Sequence, residues 1–177
     1  MSMAIFEKIN YVLNGLKGAR VIDMRYSFRD ESSENNNAFK IIFMTDKMQY
    51  SIYIPSYFRF RTETKLLLTS VDMHIDKNNV YDESADPYNN MSDFKNSIMS
   101  IRITNTFDLL RDTTVSDSFV NRCGDLIVMF ENGIVMEVLI DRRWNGTEFY
   151  KIVHVMEKNN VSYVARFNEG VLQLIAS

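Results

Sequence analysis

Two stretches of this sequence repeat the same order of apolar and polar residues, and this internal repeat constrains the fold more than any single motif. Three positions recur with a spacing of 94 residues: Leu16 and Leu110, Val21 and Val115, Asp23 and Asp117. A hairpin-like segment, 41–48, recurs 86 residues later as 127–134. The spacing drops by eight because the first copy carries a longer polar run at 30–37, which is typical of a surface loop.

The repeat predicts how the chain is organised. We expect a single domain, 1–177, with related halves at approximately 16–75 and 110–177 and an acidic connector at 76–93. A chain of 177 residues buries enough apolar surface to fold without cross-links. The single cysteine, Cys123, excludes an internal disulfide and every zinc pattern that needs several cysteines.

The hydrophobic period changes from helical to strand-like along the first half. Ile5, Ile9, Val12, Leu13 and Leu16 lie on one face of an N-terminal helix. Alternation over 22–28 then predicts a half-buried strand. Hairpin turns are predicted at 46–47, 132–133 and 168–170, and the Asn132-Gly133 pair predicts positive φ at both positions. The predicted fold is α+β and mainly antiparallel β, with the N-terminal helix packed on a sheet built from two related β-hairpin halves.

The second hairpin carries the pattern D-L-x-hydrophobic-x-F-x-N-G-x-x-x-E, formed by Asp125, Leu126, Phe130, Asn132, Gly133 and Glu137. It resembles uncharacterised small bacterial β-rich families, in which an aromatic-basic segment often follows the strand. Segment 67–72 is similar to their "strand, Ser, x, Asp" step, and the likeness covers about half the chain. Some such families look like immunity proteins encoded beside bacterial toxins, so the resemblance implies an immunity-type role.

The sequence offers little for catalysis. Nucleophilic catalysis needs a nucleophile, a base and an orienting group, and only Cys123, His74 and His154 could supply the first two. Glycine-rich phosphate loops and the nucleophile-elbow pattern are absent. The protein is therefore expected to be non-catalytic and without a cofactor, although an enzyme is not excluded.

Asp72, His74 and Asp76 alternate in the segment 70–76, and on a strand they would point to one face. Two carboxylates and an imidazole are metal-ligand types, but no further ligand completes the set. The alternative is a solvent-facing strand side. We predict no metal and keep these three residues as weak candidates.

Two aromatic-basic stretches are the predicted binding residues: Tyr57, Arg59, Arg61, Arg142, Arg143 and Trp144. Tyr, Trp and Arg commonly anchor protein interfaces. The alternative is that Phe58 and Phe60 belong to the core while the arginine stems cover a sheet edge. A net charge of −3 argues against nucleic acid as a partner.

The acidic segments 30–34 and 82–86 could complement a basic toxin or could simply solvate loops. The absence of a signal-like start and of a long apolar run predicts a cytoplasmic protein that does not enter a membrane. The leading hypothesis is a non-catalytic cytoplasmic protein-binding module, immunity-like, with a toxin-like protein partner or self-association. The alternatives are a small-ligand-binding protein or enzyme with a cleft between the halves, and a homodimer joined through a sheet edge or the N-terminal helix.

Overall fold

The computed structural model describes residues 3–27, 38–82, 84, 87, 91–140, 148–156, 159–168 and 171–176. The helices are α1 (Met3–Asn14), α2 (Met91–Asn96) and α3 (Ile98–Leu110), and a 3₁₀ helix spans Ser70–His74. The strands are β1 (Arg20–Ser27), β2 (Ala38–Met44), β3 (Gln49–Ile54), β4 (Phe58–Arg61), β5 (Leu66–Thr69), β6 (Val115–Val120), β7 (Leu126–Phe130), β8 (Val135–Val138), β9 (Glu148–Met156), β10 (Asn159–Asn168) and β11 (Val171–Ala176).

The strands form two sheets, and every strand pair that the structure describes is antiparallel. The six-stranded sheet has the order β1-β2-β3-β9-β10-β11, and the five-stranded sheet has the order β5-β4-β8-β7-β6. The predicted α+β, mainly antiparallel fold is confirmed, with the strands divided between two sheets. No helix within the described part of the chain is both long enough and apolar enough to cross a membrane.

Each half of the chain contributes strands to both sheets. The meanders β1-β2-β3 and β6-β7-β8 lie in different sheets, and the strand that follows each of them crosses to the other sheet, so that β9 pairs with β3 and β4 pairs with β8. The helices cross as well, because α1 contacts β6 and α3 contacts β1. The halves consequently build one contiguous hydrophobic core together.

The strand pairing in the two meanders shows that the sequence comparison of their second strands was wrong by one residue. Both meanders have a β-bulge, between Val21 and Asp23 in the first and between Val115 and Asp117 in the second. Val21 pairs with Phe43 and Val115 pairs with Phe130, so Phe43 corresponds to Phe130 with a spacing of 87 residues rather than 86. The error arose because β2 is buried on both faces. A strand that is apolar on both faces has no alternating pattern from which its alignment can be read.

The two meander turns differ in length. Asp46 and Lys47 form the expected two-residue loop, closed by a hydrogen bond from Thr45 N to Met48 O of 2.9 Å. The second loop has three residues, 131–133, and is closed by a bond from Phe130 N to Ile134 O of 2.9 Å. Of these three residues only Gly133 has positive φ, so the predicted left-handed conformation of Asn132 is wrong. A three-residue hairpin loop needs that conformation only at its last position.

Aromatic side chains join the sheets. Phe39 of the six-stranded sheet stacks on Phe58 of the five-stranded sheet with ring centroids 4.4 Å apart, and the counterparts Phe43 and Phe130 stack at 6.4 Å. Phe58 and Phe60 are buried, which confirms that they belong to the core. The apolar face of α1 is buried as expected at Ile9, Leu13 and the following Leu16.

Candidate functional site

The outer face of the five-stranded sheet carries two rows of side chains. Phe58 and Phe60 point into the core, so Arg59 and Arg61 point outward. The strand register extends each arginine into a row across β4, β8, β7 and β6. On the other side of β4, Thr69 and the exposed Leu66 of β5 lie opposite Arg59 and Arg61. The first row is Arg59, Glu137, Ile127 and Phe119, and the second is Arg61, Val135, Met129 and Asp117. We call these eight residues the outer face.

Two arginines share one carboxylate on this face. Arg61 donates from Nε to Glu137 Oε2 at 3.1 Å and from Nη2 to Oε1 at 3.0 Å. Arg59 donates from Nε to the same Oε2 atom. The arginine side chains are 43% and 38% exposed, whereas that of Glu137 is only 10% exposed. Two cations on one anion leave this end of the face with one net positive charge.

The electrostatics follow from this arrangement. Burial alone would raise the pKa of Glu137, but the hydrogen bonds and charges of Arg61 and Arg59 outweigh burial, so the pKa lies below its ordinary value. The same hydrogen bond and the charge of Glu137 raise the pKa of Arg61. Glu137 is therefore ionised at neutral pH, and its hydrogen bonds to Arg59 and Arg61 connect the side chains of β8 to those of β4.

Apart from Asp117 on β6, apolar side chains occupy the rest of the outer face. Phe119, Ile127 and Val135 are half-buried, and Met129 is 38% exposed. Among the described residues, none of these four belongs to the contiguous core or to the residues packed against it. Partly exposed aliphatic, aromatic and methionine side chains beside arginine are typical of protein-binding surfaces.

The sequence-predicted binding residues are only partly brought together. Tyr57 is 50% exposed just before β4, and its carbonyl accepts a hydrogen bond of 2.9 Å from Leu139 N. Arg59 and Arg61 lie on the outer face, as described above. Arg142, Arg143 and Trp144 fall outside the described residues, so their predicted role stays a prediction.

The outer face also contains residues that sequence reasoning missed. Ile127, Val128 and Met129 form one apolar run, and a run of this kind hides which side chains point outward. Two sequence signals together could have identified the face. Arg59 and Arg61 alternate with apolar residues in one segment, and Glu137 is a single charged residue in an otherwise apolar segment. Those signals become readable only once β4 is known to pair with β8.

Asp72, His74 and Asp76 do not share a strand face, because 70–74 is a 3₁₀ helix. Asp72 is buried, and its carboxylate accepts from Thr69 N at 2.9 Å and from Arg102 Nη1 at 2.7 Å. These protein groups already occupy the carboxylate that a metal would need. The T-x-x-D spacing of Thr69 and Asp72, a capping box, was the overlooked helix signal. No metal-binding group of three His, Cys, Asp or Glu residues occurs within the described ranges.

His74 lines a small cavity in the connector region. The cavity has a volume of about 90 Å³, and its walls come from the 3₁₀ helix, the following loop and α2: Met73, His74, Ile75, Asp76, Asp82, Asp93, Asn96 and Ser97. Ligand pockets usually have several hundred Å³. This volume suits a water molecule or an ion better than a drug-sized ligand.

Cys123 is exposed in the turn between β6 and β7. Asn121 fixes this turn, because its Oδ1 accepts from Cys123 N at 2.8 Å and from Asp125 N at 3.0 Å. The side chain of His154 lies outside the described part of the structure, so its pairing with a nucleophile is untested.

Comparison with known protein families, with curated proteins and with solved structures found no match for this chain.

Proposed function

We propose that this protein is a non-catalytic protein-binding module and that the outer face is its binding surface. The observation that carries the proposal is the partly exposed cluster of Met129 and its apolar neighbours beside the Arg59–Glu137–Arg61 group. Apolar groups surrounded by hydrogen-bonded charges form the usual centre and rim of a protein interface.

The shape of the site supports a protein partner over a small substrate. Met129 and its neighbours lie on the face of a sheet rather than in a cleft of the described residues, and the cavity beside His74 holds about 90 Å³. The charge of the site supports a protein partner over nucleic acid, since Glu137 neutralises one of the two arginines and the chain has a net charge of −3.

The narrower form of the proposal is an immunity-type inhibitor in a bacterial cytoplasm, with a toxin-like protein as its partner. It rests on the hairpin resemblance around Asn132 and Gly133 rather than on the outer face. A toxin reading frame beside the gene would support this narrower form, and a gene neighbourhood of metabolic enzymes would contradict it.

Affinity capture with matched variants tests the proposal. Met129 and Met44 are both 38% exposed, but Met44 lies on β2 of the other sheet, so Met44→Asp is the control for Met129→Asp. We expect the wild type and Met44→Asp to retain the same partner from an extract of the source cell and Met129→Asp to bind it roughly tenfold or more weakly. Equal retention by all three proteins contradicts the proposed surface. A turnover activity without a stable partner contradicts the proposed function.

A further inference from the structure

We infer that a second copy of this chain fits the outer face, with the two five-stranded sheets packed face to face about a two-fold axis. This inference rests on the proposed function and names the partner of the same surface. The axis would run along the strands between β7 and β8, which places β4 of one copy opposite β6 of the other.

The distribution of charge on the outer face is self-complementary. The positive end is formed by Arg59 and Arg61 on β4, and the exposed Asp117 lies at the opposite end, on β6. Apolar residues of β7 and β8 lie between the two ends. A two-fold contact uses the same patch on both copies, and a patch with opposite charges on opposite sides of an apolar centre is complementary to itself.

The second row supplies the strongest contacts of this arrangement. An axis along the strands keeps each row opposite itself, so Arg61 faces Asp117 of the second copy and Val135 faces Met129 of the second copy. The Oδ1 atom of Asp117 accepts a hydrogen bond of 2.9 Å from Ser118 N, which holds the carboxylate at the surface. The symmetry produces each contact twice.

The first row is compatible with the same packing. Arg59 faces the ring of Phe119 of the second copy, which is a favourable cation–π arrangement. Glu137 faces Ile127 of the second copy. The apolar Ile127 side chain can cover the Glu137 carboxylate because Arg59 and Arg61 already bind it, so the carboxylate is not buried without a partner.

The size of the face predicts a weak dimer. The four strands that lie opposite each other, β4, β8, β7 and β6, are spaced about 4.8 Å apart and are four to six residues long, so the contact spans roughly 19 Å by 13–20 Å. Such a patch is smaller than a standard specific interface and falls in the size class of weak, transient complexes. We therefore expect reversible association with a dissociation constant in the micromolar range.

Sedimentation equilibrium of charge-reversed variants tests the inference. We expect the wild type to associate with increasing concentration and Arg61→Asp and Asp117→Arg each to remain monomeric, because like charges then oppose each other twice. An equimolar mixture of the two variants should associate again, since both contacts of the mixed dimer pair opposite charges. A monomeric wild type, an unchanged association of either variant, or a mixture that stays monomeric would overturn the inference.

Folding of the variants must be separated from association. Arg61→Asp removes one of the two partners of Glu137, so its thermal unfolding is measured first. If it does not fold, Asp117→Arg is compared with Asp112→Arg, an exposed aspartate just after α3. Loss of association in the first variant and its retention in the second support the inference, and equal behaviour contradicts it.

The outcomes also separate the inference from the proposed function. A monomeric wild type whose unrelated protein partner is lost in Met129→Asp overturns the inference and leaves the proposed function standing. If the wild type is monomeric and Met129→Asp retains every partner, both fail.

Discussion

Arg20 and Thr114 face each other as an antiparallel bridge although 94 residues separate them, and each is the counterpart of the other in its own half. Two backbone bonds flank the bridge, from Val115 N to Ala19 O at 2.9 Å and from Gly18 N to Val115 O at 2.8 Å. The bridge connects the first residue of β1 to the residue before β6, and these two strands are the edge strands of different sheets. Counterparts of the predicted repeat therefore meet in space at the start of the two meanders.

We predict that one added methyl group in the turn after α1 lowers the unfolding free energy. A Cβ at Gly15 would clash with Tyr50 Oη, so Gly15→Ala should cost about 1–3 kcal/mol of unfolding free energy. In a Tyr50→Phe background the cost should fall, which chemical denaturation of all four proteins measures as a double-mutant cycle. Gly18→Ala is the control: nothing lies within 4 Å, and its cost comes from φ of +80° alone. An equal effect of Tyr50→Phe on both alanine variants contradicts the contact.

Asp72 is predicted to be a structural residue. Asp72→Ala removes the bonds to Thr69 N and Arg102 Nη1 and should lower the unfolding free energy by about 2–3 kcal/mol. Asp108→Ala is the control because Asp108 forms an exposed pair with Arg111 at 3.5 Å, and it should cost at most about 0.5 kcal/mol. Similar losses for the two variants in urea unfolding would contradict this role.

We predict that the ion pairs of Glu137 stabilise the folded protein at neutral pH and that this stabilisation is lost in acid. Its pKa in the folded protein lies below the ordinary value, so its contribution is present at neutral pH and is lost as the pH falls through that lowered pKa. Glu137→Gln should cost about 1 kcal/mol at neutral pH, and the difference from wild type should shrink towards acid pH. Glu131→Gln, in the exposed β7–β8 loop, is the control. A difference that does not change with pH contradicts the predicted ion pair.

We predict that the buried Tyr150 hydroxyl makes the folded protein less stable at alkaline pH. Burial, and then the charge of Asp125, raise the pKa of Tyr150, and its hydroxyl donates to Gly124 O at 3.0 Å. The unfolded tyrosine loses its proton above about pH 10 while the folded one keeps it, so the unfolding free energy falls as the pH rises. Tyr150→Phe should make this fall less steep, whereas Tyr11→Phe, an exposed control, should not. Equal slopes in denaturant titrations between pH 9 and 11 would refute the assignment.

The local elements could be predicted because local patterns determine them. The apolar period of α1 and the two-residue turn at Asp46-Lys47 depend on neighbouring residues. The alternation predicted for β1 holds from Met24 onward but is wrong at Ile22, which is exposed because of the β-bulge between Val21 and Asp23. The 3₁₀ helix was missed because alternation over 70–76 imitates a strand. Its capping signal, Thr69 with Asp72, is weaker than the period on which the strand prediction relied.

The exchange of strands between the sheets could not be predicted. Whether β4 pairs with β3 or with β8 depends on packing between residues about 77 positions apart, as in the pair Phe60 and Met136. The outer face depends on this pairing, because only the register brings Glu137 beside Arg59 and Arg61. The aromatic-basic stretch therefore predicted the arginines but not the carboxylate that fixes them.

Methionine oxidation tests the central claim, that the outer face binds a protein, most directly. Met129 and Met44 have the same exposed fraction, 38%, so dilute hydrogen peroxide should oxidise them at similar rates in the dilute isolated protein. In an extract of the source cell, or at high concentration of the protein itself, we predict slower oxidation of Met129 with Met44 unchanged, measured by peptide mass spectrometry. Equal rates at both positions under all of these conditions would contradict the claim.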